Sequence, residues 1–305
     1  MRTSPLHEHF GIEIHDVDLR DVTAKRLYPE IRAAFEEHTL LLFRGQSLDA
    51  AEHRRIATLF GPPEDLTDAA PGATPARPMV SNLKDSGAVA AADDLQLLNL
   101  QANFIWHTDS TFLPTPAISN VLVACVLPDR GGNTEFASTR NGWAAMDPAL
   151  RAAARDKVFI HRYAHSRQMI DPVLGRQEMF TKYPDQPWRS TWTNPLNQRE
   201  ALLIGGHVCA VVGMTATAGR ALVDDLTAAV TRPEDIYSHC WRDGDVLIWD
   251  QRAALHRGQP WPYAQERTLA SIVSSAVEAD GIASAGVARA QRHQIKTKEN
   301  RTWPG

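Results

Sequence analysis

Among the twelve histidines of this 305-residue chain, one stands beside a carboxylate at a spacing that suits metal chemistry: Trp106-His107-Thr108-Asp109. In extended backbone, residues i and i+2 project from one face, so His107 and Asp109 can share an ion. A histidine and a carboxylate placed this way supply two ligands of the facial triad that holds non-haem Fe(II), an arrangement that leaves metal positions open for reactants. The third ligand must come from a distant strand. His256 qualifies, because it follows the apolar run DVLIWD inside Trp249-Asp250-Gln251-Arg252-Ala253-Ala254-Leu255-His256-Arg257-Gly258. Arg267 comes shortly after it. A buried arginine near such a metal can grip a dicarboxylate through a bidentate pair, which lysine does less well.

These residues need a frame that brings remote segments together. Ile12, Ile14, Val17 and Leu19 alternate as a strand, and Leu27, Ile31, Ala34 and Phe35 mark a helix over Thr23–Glu37. The run HTLLLFRG predicts a central strand closed by Gly45. A second helix is expected to open at Ser47 as N-cap and to end near Phe60-Gly61, where Pro62-Pro63 forbids its continuation. Residues 62–102 are rich in Pro, Gly, Ala and Asp and read as a long functional loop with a strand-like patch at Pro78–Asn82. Beyond Trp106 strand signals dominate, at 119–127, 133–138, 157–165, 201–208 and 245–251, with helices expected near Asn141–Asp156 and Thr217–Thr231. Strands at this density predict an antiparallel double sheet, mainly β with flanking helices. Segment 166–200 carries Met169, Met179, Tyr183, Trp188, Arg189 and Trp192, and reads equally as a lid or a subunit contact. The basic stretch after Glu278 reads as a solvated extension.

Composition narrows the function. With 32 Lys+Arg against 36 Asp+Glu the formal charge is −4, which argues against a polyanion or nucleic-acid binder. The three cysteines, Cys125, Cys209 and Cys240, form no CxxC and read as buried, reduced thiols of a cytoplasmic protein. No apolar run is long enough to span a bilayer. A homo-oligomer acting on a small molecule is the expected form.

Several motifs then occur together in one order: WHTDSTFLPTPA (106–117), LPDRGGNTEFA (127–137) and WDQRAALHRG (249–258), preceded by DVDLRD and TLLLFRGQ. Over roughly residues 5–277 the chain resembles the Fe(II)/2-oxoglutarate-dependent dioxygenases of the taurine and 2,4-dichlorophenoxyacetate type. That resemblance implies a double-stranded β-helix, or jelly-roll, over 1–277, followed by an extension over 278–305. It implies His107, Asp109 and His256 as iron ligands, with Thr134 and Arg267 on the distal carboxylate of 2-oxoglutarate. It implies further that O₂ is consumed, that succinate and CO₂ are released, and that substrate is hydroxylated. Related halogenating enzymes have a small residue in place of Asp109, so its presence favours hydroxylation. Hydroxyl placed on carbon bearing an ether oxygen or a sulfonate would end in cleavage. The chain departs from the family where a second arginine usually lies, four residues after Arg267, because that place is Ser271. Either another cation anchors an acid or the substrate is not held by an anion there. His207 matches a pocket-side position of the herbicide-type enzymes and is a candidate polar anchor, as is Asn103 for lining the substrate cavity. Arg252 and Arg257 read as structural salt-bridge partners. Two other readings use the same residues: a zinc hydrolase with an activated water, and a non-catalytic jelly-roll binding protein.

Overall fold

The two most apolar strand sequences, LLLF and VLIWD, lie side by side at the centre. In the computed structural model, which describes residues 1–66, 79–91, 94–288 and 295, Leu40–Phe43 pairs antiparallel with Val246–Asp250. Every residue of both strands is buried. Such strands read as continuous hydrophobic runs because both faces are covered. On one face Leu41, Phe43, Val246 and Ile248 pack with Ile31 and Phe35 of the helix Tyr28–His38 and Ile56 and Phe60 of the helix Ala50–Phe60. On the other face Leu40, Leu42, Leu247 and Trp249 meet Phe136 and Ala254 of a second sheet.

The larger sheet has seven strands, ordered Arg2–Pro5, Ile12–His15, Leu40–Phe43, Val246–Asp250, Ala117–Val126, Thr268–Ser275, Met79–Ser81. All its pairings are antiparallel except that of Ile12–His15 with Leu40–Phe43. The opposing sheet orders Ile236–His239, Thr134–Ser138 and Ala254–Gly258. A further sheet orders Val208–Val211, Val158–His161 and Gln186–Arg189. The result is the mainly β double sheet with outer helices that the strand density predicts, in the jelly-roll form that the family resemblance implies.

Local chemistry moved several boundaries. Asp49, not Ser47, caps the second helix, because Asp49 and Glu52 form a reciprocal capping box. The helix expected over Asn141–Asp156 is two, Thr139–Ala145 and Pro148–Ala154, separated where Pro148 cannot extend the first and Asp147 caps the second. The run 157–165 is a strand only to His161 and then turns into the helix Tyr163–Gln168. The run 201–208 breaks after Leu202 and resumes at Val208. Within 62–102 the strand Met79–Ser81 is present, and an unforeseen helix occupies Leu95–Gln101; residues 67–78 and 92–93 lie outside the described residues. Cys125 and Cys240 are exposed and Cys209 is half-buried, so the thiols are not core residues as expected. Trp188 and Trp192 of segment 166–200 are buried against Ile118 and Leu203. At the start of the C-terminal stretch Asp280 and Ala285 are buried and Ser284 bonds back to Thr193, whereas the basic residues read as a solvated extension, Arg289, Arg292, Lys296, Lys298 and Arg301, lie outside the described residues.

Arg252 joins the central strand to the outer helix. It donates to Asp250 at 2.9 Å and to Glu36, while Arg32 bridges Glu36 at 2.6 Å and Asp280 at 2.7 Å. Arg257 pairs with Glu135 at 2.7 Å and lies over the Trp106 ring. Both arginines therefore serve as the structural ion pairs anticipated. Removing one member of a buried network strands the others. Arg252→Ala is expected to lose about 3–5 kcal/mol of folding stability in urea unfolding; a loss below about 1 kcal/mol would contradict this role.

Candidate active site

The triad is built across a single backbone bridge. His107 and His256 exchange both backbone hydrogen bonds, 3.0 Å from His107 N to His256 O and 2.8 Å in return. His256 lies on the regular strand Ala254–Gly258, whereas His107 joins it through this one bridge and the chain then turns at Ser110, whose φ is 61°. The imidazole centroids stand 4.1 Å apart. Asp109 Oδ1 is 3.7 Å from His107 Nε2 and 3.8 Å from His256 Nε2. The ligand atoms of His107, Asp109 and His256 all fall within 4.8 Å of one another. The segment carrying His107 lies so close to Gly205 that a Cβ there would come 3.0 Å from His107 Cα, which is why the chain has Gly205, at φ 148°, where a strand was expected.

Each donor is aimed by a neighbour. His107 Nδ1 lies 2.8 Å from the Ile105 carbonyl, which fixes the proton on Nδ1 and leaves the Nε2 lone pair free. His256 Nδ1 is buried without a hydrogen-bond partner among the described residues. Asp109 Oδ2 accepts from Asn120 Nδ2 at 3.0 Å and from Gln251 Nε2, so Oδ1 is the oxygen turned to the histidines. Gln251 Oε1 also accepts from the Asp109 amide at 2.9 Å and the Thr108 hydroxyl at 2.9 Å. Burial pushes His256 down to about 3, helped by His107, so the ring is neutral and able to ligate. Burial alone would raise Asp109, but the adjoining histidines and its two amide donors outweigh it and keep the carboxyl below its ordinary value. Two neutral imidazoles and one carboxylate on one face fit iron(II).

A cavity of about 130 Å³ opens on the triad. Asn103, Thr134, Arg267 and Ser271 all line it, together with apolar walls from Leu100, Phe104, Leu122 and Trp249. Arg267 is 4% exposed, lies with its guanidinium 5.1 Å from the Trp261 centroid and donates from Nε to the Gly132 carbonyl at 3.0 Å. No carboxylate among the described residues pairs with it, and burial lowers it to about 10. At Gly132 (φ 70°) a Cβ would sit 2.8 Å from Arg267 Nε, so only glycine lets the arginine lie there. Thr134 Oγ1 accepts from Trp241 Nε1 at 3.0 Å, which leaves its own hydrogen free for another acceptor. Ser271 is already committed: its hydroxyl donates to Asn120 Oδ1 at 3.0 Å, and Asn120 in turn holds Asp109.

His207 is not in the wall of this cavity. Its ring centroid lies 6.4 Å from that of His107, packed on Phe112 at 5.0 Å and Tyr163 at 5.9 Å, and burial holds it well below its ordinary value. Four residues near the site escaped the sequence reading: Asn120, Gln251, Glu64 and Arg167. Gln251 sits inside the WDQR run and was open to notice, but nothing local marks the others. Glu64 accepts from the Ser110 hydroxyl next to Asp109, and burial raises its carboxyl to about 7. Arg167 is buried against Tyr163 and Phe180.

Residues 2–272 match the family described as Taurine catabolism dioxygenase TauD, TfdA family, and the chain belongs to that family. It is an enzyme of the Fe(II)- and 2-oxoglutarate-dependent dioxygenase type, which uses O₂, releases succinate and CO₂ and hydroxylates a small organic substrate. It is 30% identical over 282 residues to the alpha-ketoglutarate-dependent 2,4-dichlorophenoxyacetate dioxygenase of Cupriavidus pinatubonensis, covering 87% of this chain and 94% of that one. It is 30% identical over 281 residues to the (S)-phenoxypropionate/alpha-ketoglutarate-dioxygenase of Sphingobium herbicidovorans, covering 87% and 92%. The solved structure of AAD-2 in complex with Mn(II) and N-oxalylglycine superposes with a TM-score of 0.83 at 28% identity, covering 91% of this chain and 98% of that one.

The amides behind Asp109 yield a prediction. Asn120→Ala and Gln251→Ala are expected to weaken Fe(II) binding about 10–100-fold while the fold persists. Anaerobic competition against a calibrated chelator measures this, and unaltered affinity in both variants would rule out their orienting role.

Proposed function

We propose that His107, Asp109 and His256 hold the Fe(II) of this dioxygenase, and that Thr134 and Arg267 take the distal carboxylate of 2-oxoglutarate. The observation that carries the reading is that the His-Asp-His group and a buried arginine without an acidic partner open into one cavity. When bound, iron(II) and 2-oxoglutarate supply the oxidant that inserts oxygen into an unactivated C–H bond. The chain's own residues position and exclude. Arg267, stacked on Trp261 and tethered to Gly132, presents its remaining N–H groups to a carboxylate in fixed geometry. Thr134, with its oxygen already accepting from Trp241, donates its hydrogen to the same carboxylate. Leu100, Phe104, Leu122, Trp249 and Leu269 keep water from the cavity and strengthen both contacts.

The names of the phenoxyacetate and phenoxypropionate relatives support a substrate on which hydroxylation beside an ether oxygen leads to cleavage. N-oxalylglycine has the shape of 2-oxoglutarate with NH in place of one methylene, which supports the co-substrate assignment. Asn103 and Ser271 border the cavity and complete the proposed substrate surroundings, Ser271 acting through Asn120. A zinc hydrolase would have no use for the arginine without an acidic partner. We further infer a cytoplasmic homo-oligomer that binds neither nucleic acid nor membrane. The slightly acidic composition, with a formal charge of −4, supports the part of this reading that concerns nucleic acid.

Succinate release that requires Fe(II), 2-oxoglutarate and O₂ tests the reading. His256→Ala is expected to abolish it with the fold retained, whereas full turnover in that variant would remove the triad assignment. Arg267→Ala is expected to raise the 2-oxoglutarate requirement at least about tenfold, equivalent to about 1.4 kcal/mol of charge-assisted binding. An unchanged requirement would move the co-substrate elsewhere.

A further inference from the structure

The cavity beside the triad carries few charges. Of the residues that line it, only Asp109 and Arg267 are formally charged, because burial lowers His107 and His256 and keeps both imidazoles neutral. Among the described residues no lysine and no second arginine lines it. With the iron and co-substrate of the reading above in place, the charges cancel. The two of iron(II) and the one of Arg267 meet the one of Asp109 and the two of 2-oxoglutarate. The loaded cavity is therefore neutral, and its guanidinium is taken.

Most of its uncharged polar groups are spent as well. Ser271 donates to Asn120 at 3.0 Å and Asn120 donates to Asp109 at 3.0 Å, so both serve the ligand set. Thr134 accepts from Trp241, and in the reading above its hydrogen goes to the co-substrate. Asn103 differs. It borders the cavity from the short turn Ala102–Phe104, and its side-chain amide makes no hydrogen bond with any described residue. An amide offers two N–H donors and an acceptor oxygen, but no charge. The wall around it is apolar, with Leu100 and Phe104 from the same segment and Val80, Leu122 and Val273 from the large sheet. An anion entering this space would bring a charge that no lining group offsets, beside the carboxylate of Asp109. An uncharged molecule has no such cost and gains from the apolar wall.

We propose that the substrate is an uncharged, largely apolar molecule, held against Leu100 and Phe104 with one polar group on the Asn103 amide. The phenoxyacetate and phenoxypropionate in the names of two relatives are carboxylates. The charge inventory of this cavity sets the chain's substrate apart from them, while leaving room for an ether oxygen beside the reacting carbon. This proposal rests on the iron and 2-oxoglutarate reading given above and deepens it by naming the substrate class.

Calorimetric titration of the Fe(II)- and 2-oxoglutarate-loaded enzyme under nitrogen tests it, with phenoxyacetamide and the matched anion, phenoxyacetate, as probes. The wild type is expected to bind the amide at least about tenfold more tightly than the acid. Asn103→Leu should weaken binding of the amide about fivefold, the loss of one hydrogen bond. Asn103→Lys, which adds a cation to the cavity wall, should reverse the preference in favour of the acid. In both variants 2-oxoglutarate affinity should stay within about twofold, which a collapsed site would not allow. If either variant fails to take up 2-oxoglutarate, the wild-type comparison decides alone. Equal or tighter binding of the acid by the wild type, or binding of neither probe, overturns the proposal. So does an amide affinity unchanged in Asn103→Leu, or a preference unchanged in Asn103→Lys, when those variants load normally. Failure of the wild type to take up Fe(II) or 2-oxoglutarate, seen before any probe is added, overturns the underlying site reading and this proposal with it.

Discussion

The site depends on a pair of backbone hydrogen bonds between His107 and His256, residues far apart in the chain that donate to each other at 3.0 and 2.8 Å. Imidazoles on directly opposed residues of an antiparallel bridge stand on one side of the ladder, and their Nε2 atoms meet. Asp109 follows two residues after His107 and reaches the same point. The rest of the fold serves this crossing. Gly205 lets a neighbouring segment approach His107, and Thr134–Ser138 holds the His256 strand in register, with His256 opposite Phe136. The fully buried strands Leu40–Phe43 and Val246–Asp250 give the sheet behind the cavity a rigid backing.

Charge is distributed in a matching way. Away from the site, Arg252 and Arg32 neutralise the buried carboxylates Glu36, Asp250 and Asp280, whereas buried Arg140 donates only to the Glu36 and Glu37 carbonyls. In the cavity beside the metal ligands, buried Arg267 has only a backbone carbonyl and an indole face. Low dielectric strengthens what such groups can do for an incoming anion and penalises leaving them alone. Ligand charge completes the electrostatics of this half of the molecule.

Much of this was legible in the sequence where chemistry and local pattern coincide. His107, Asp109, His256 and Thr134 occur in motifs, with Arg267 at an offset after the last, whose resemblance to a known family implies a jelly-roll, and the strand runs LLLF and VLIWD announce a core covered on both faces. The supporting residues were less legible. Asn120 is an amide in the middle of a strand, and only the pairing of Ala117–Val126 with its neighbours turns it toward Asp109. His207 was placed on the pocket by position, yet tertiary packing sets it against Phe112, outside the cavity lining. The break of the long helix at Pro148 and the cap at Asp49 were written locally and misjudged, because competing caps and turns differ by about 1 kcal/mol.

The most direct test of the account is an anaerobic titration of the metal-free protein with Fe(II) and then with 2-oxoglutarate, followed by visible absorbance. The account predicts that one iron binds per chain and that a weak visible charge-transfer band appears only when 2-oxoglutarate is added. Tight binding of zinc in place of iron, with no optical response to 2-oxoglutarate, would contradict it.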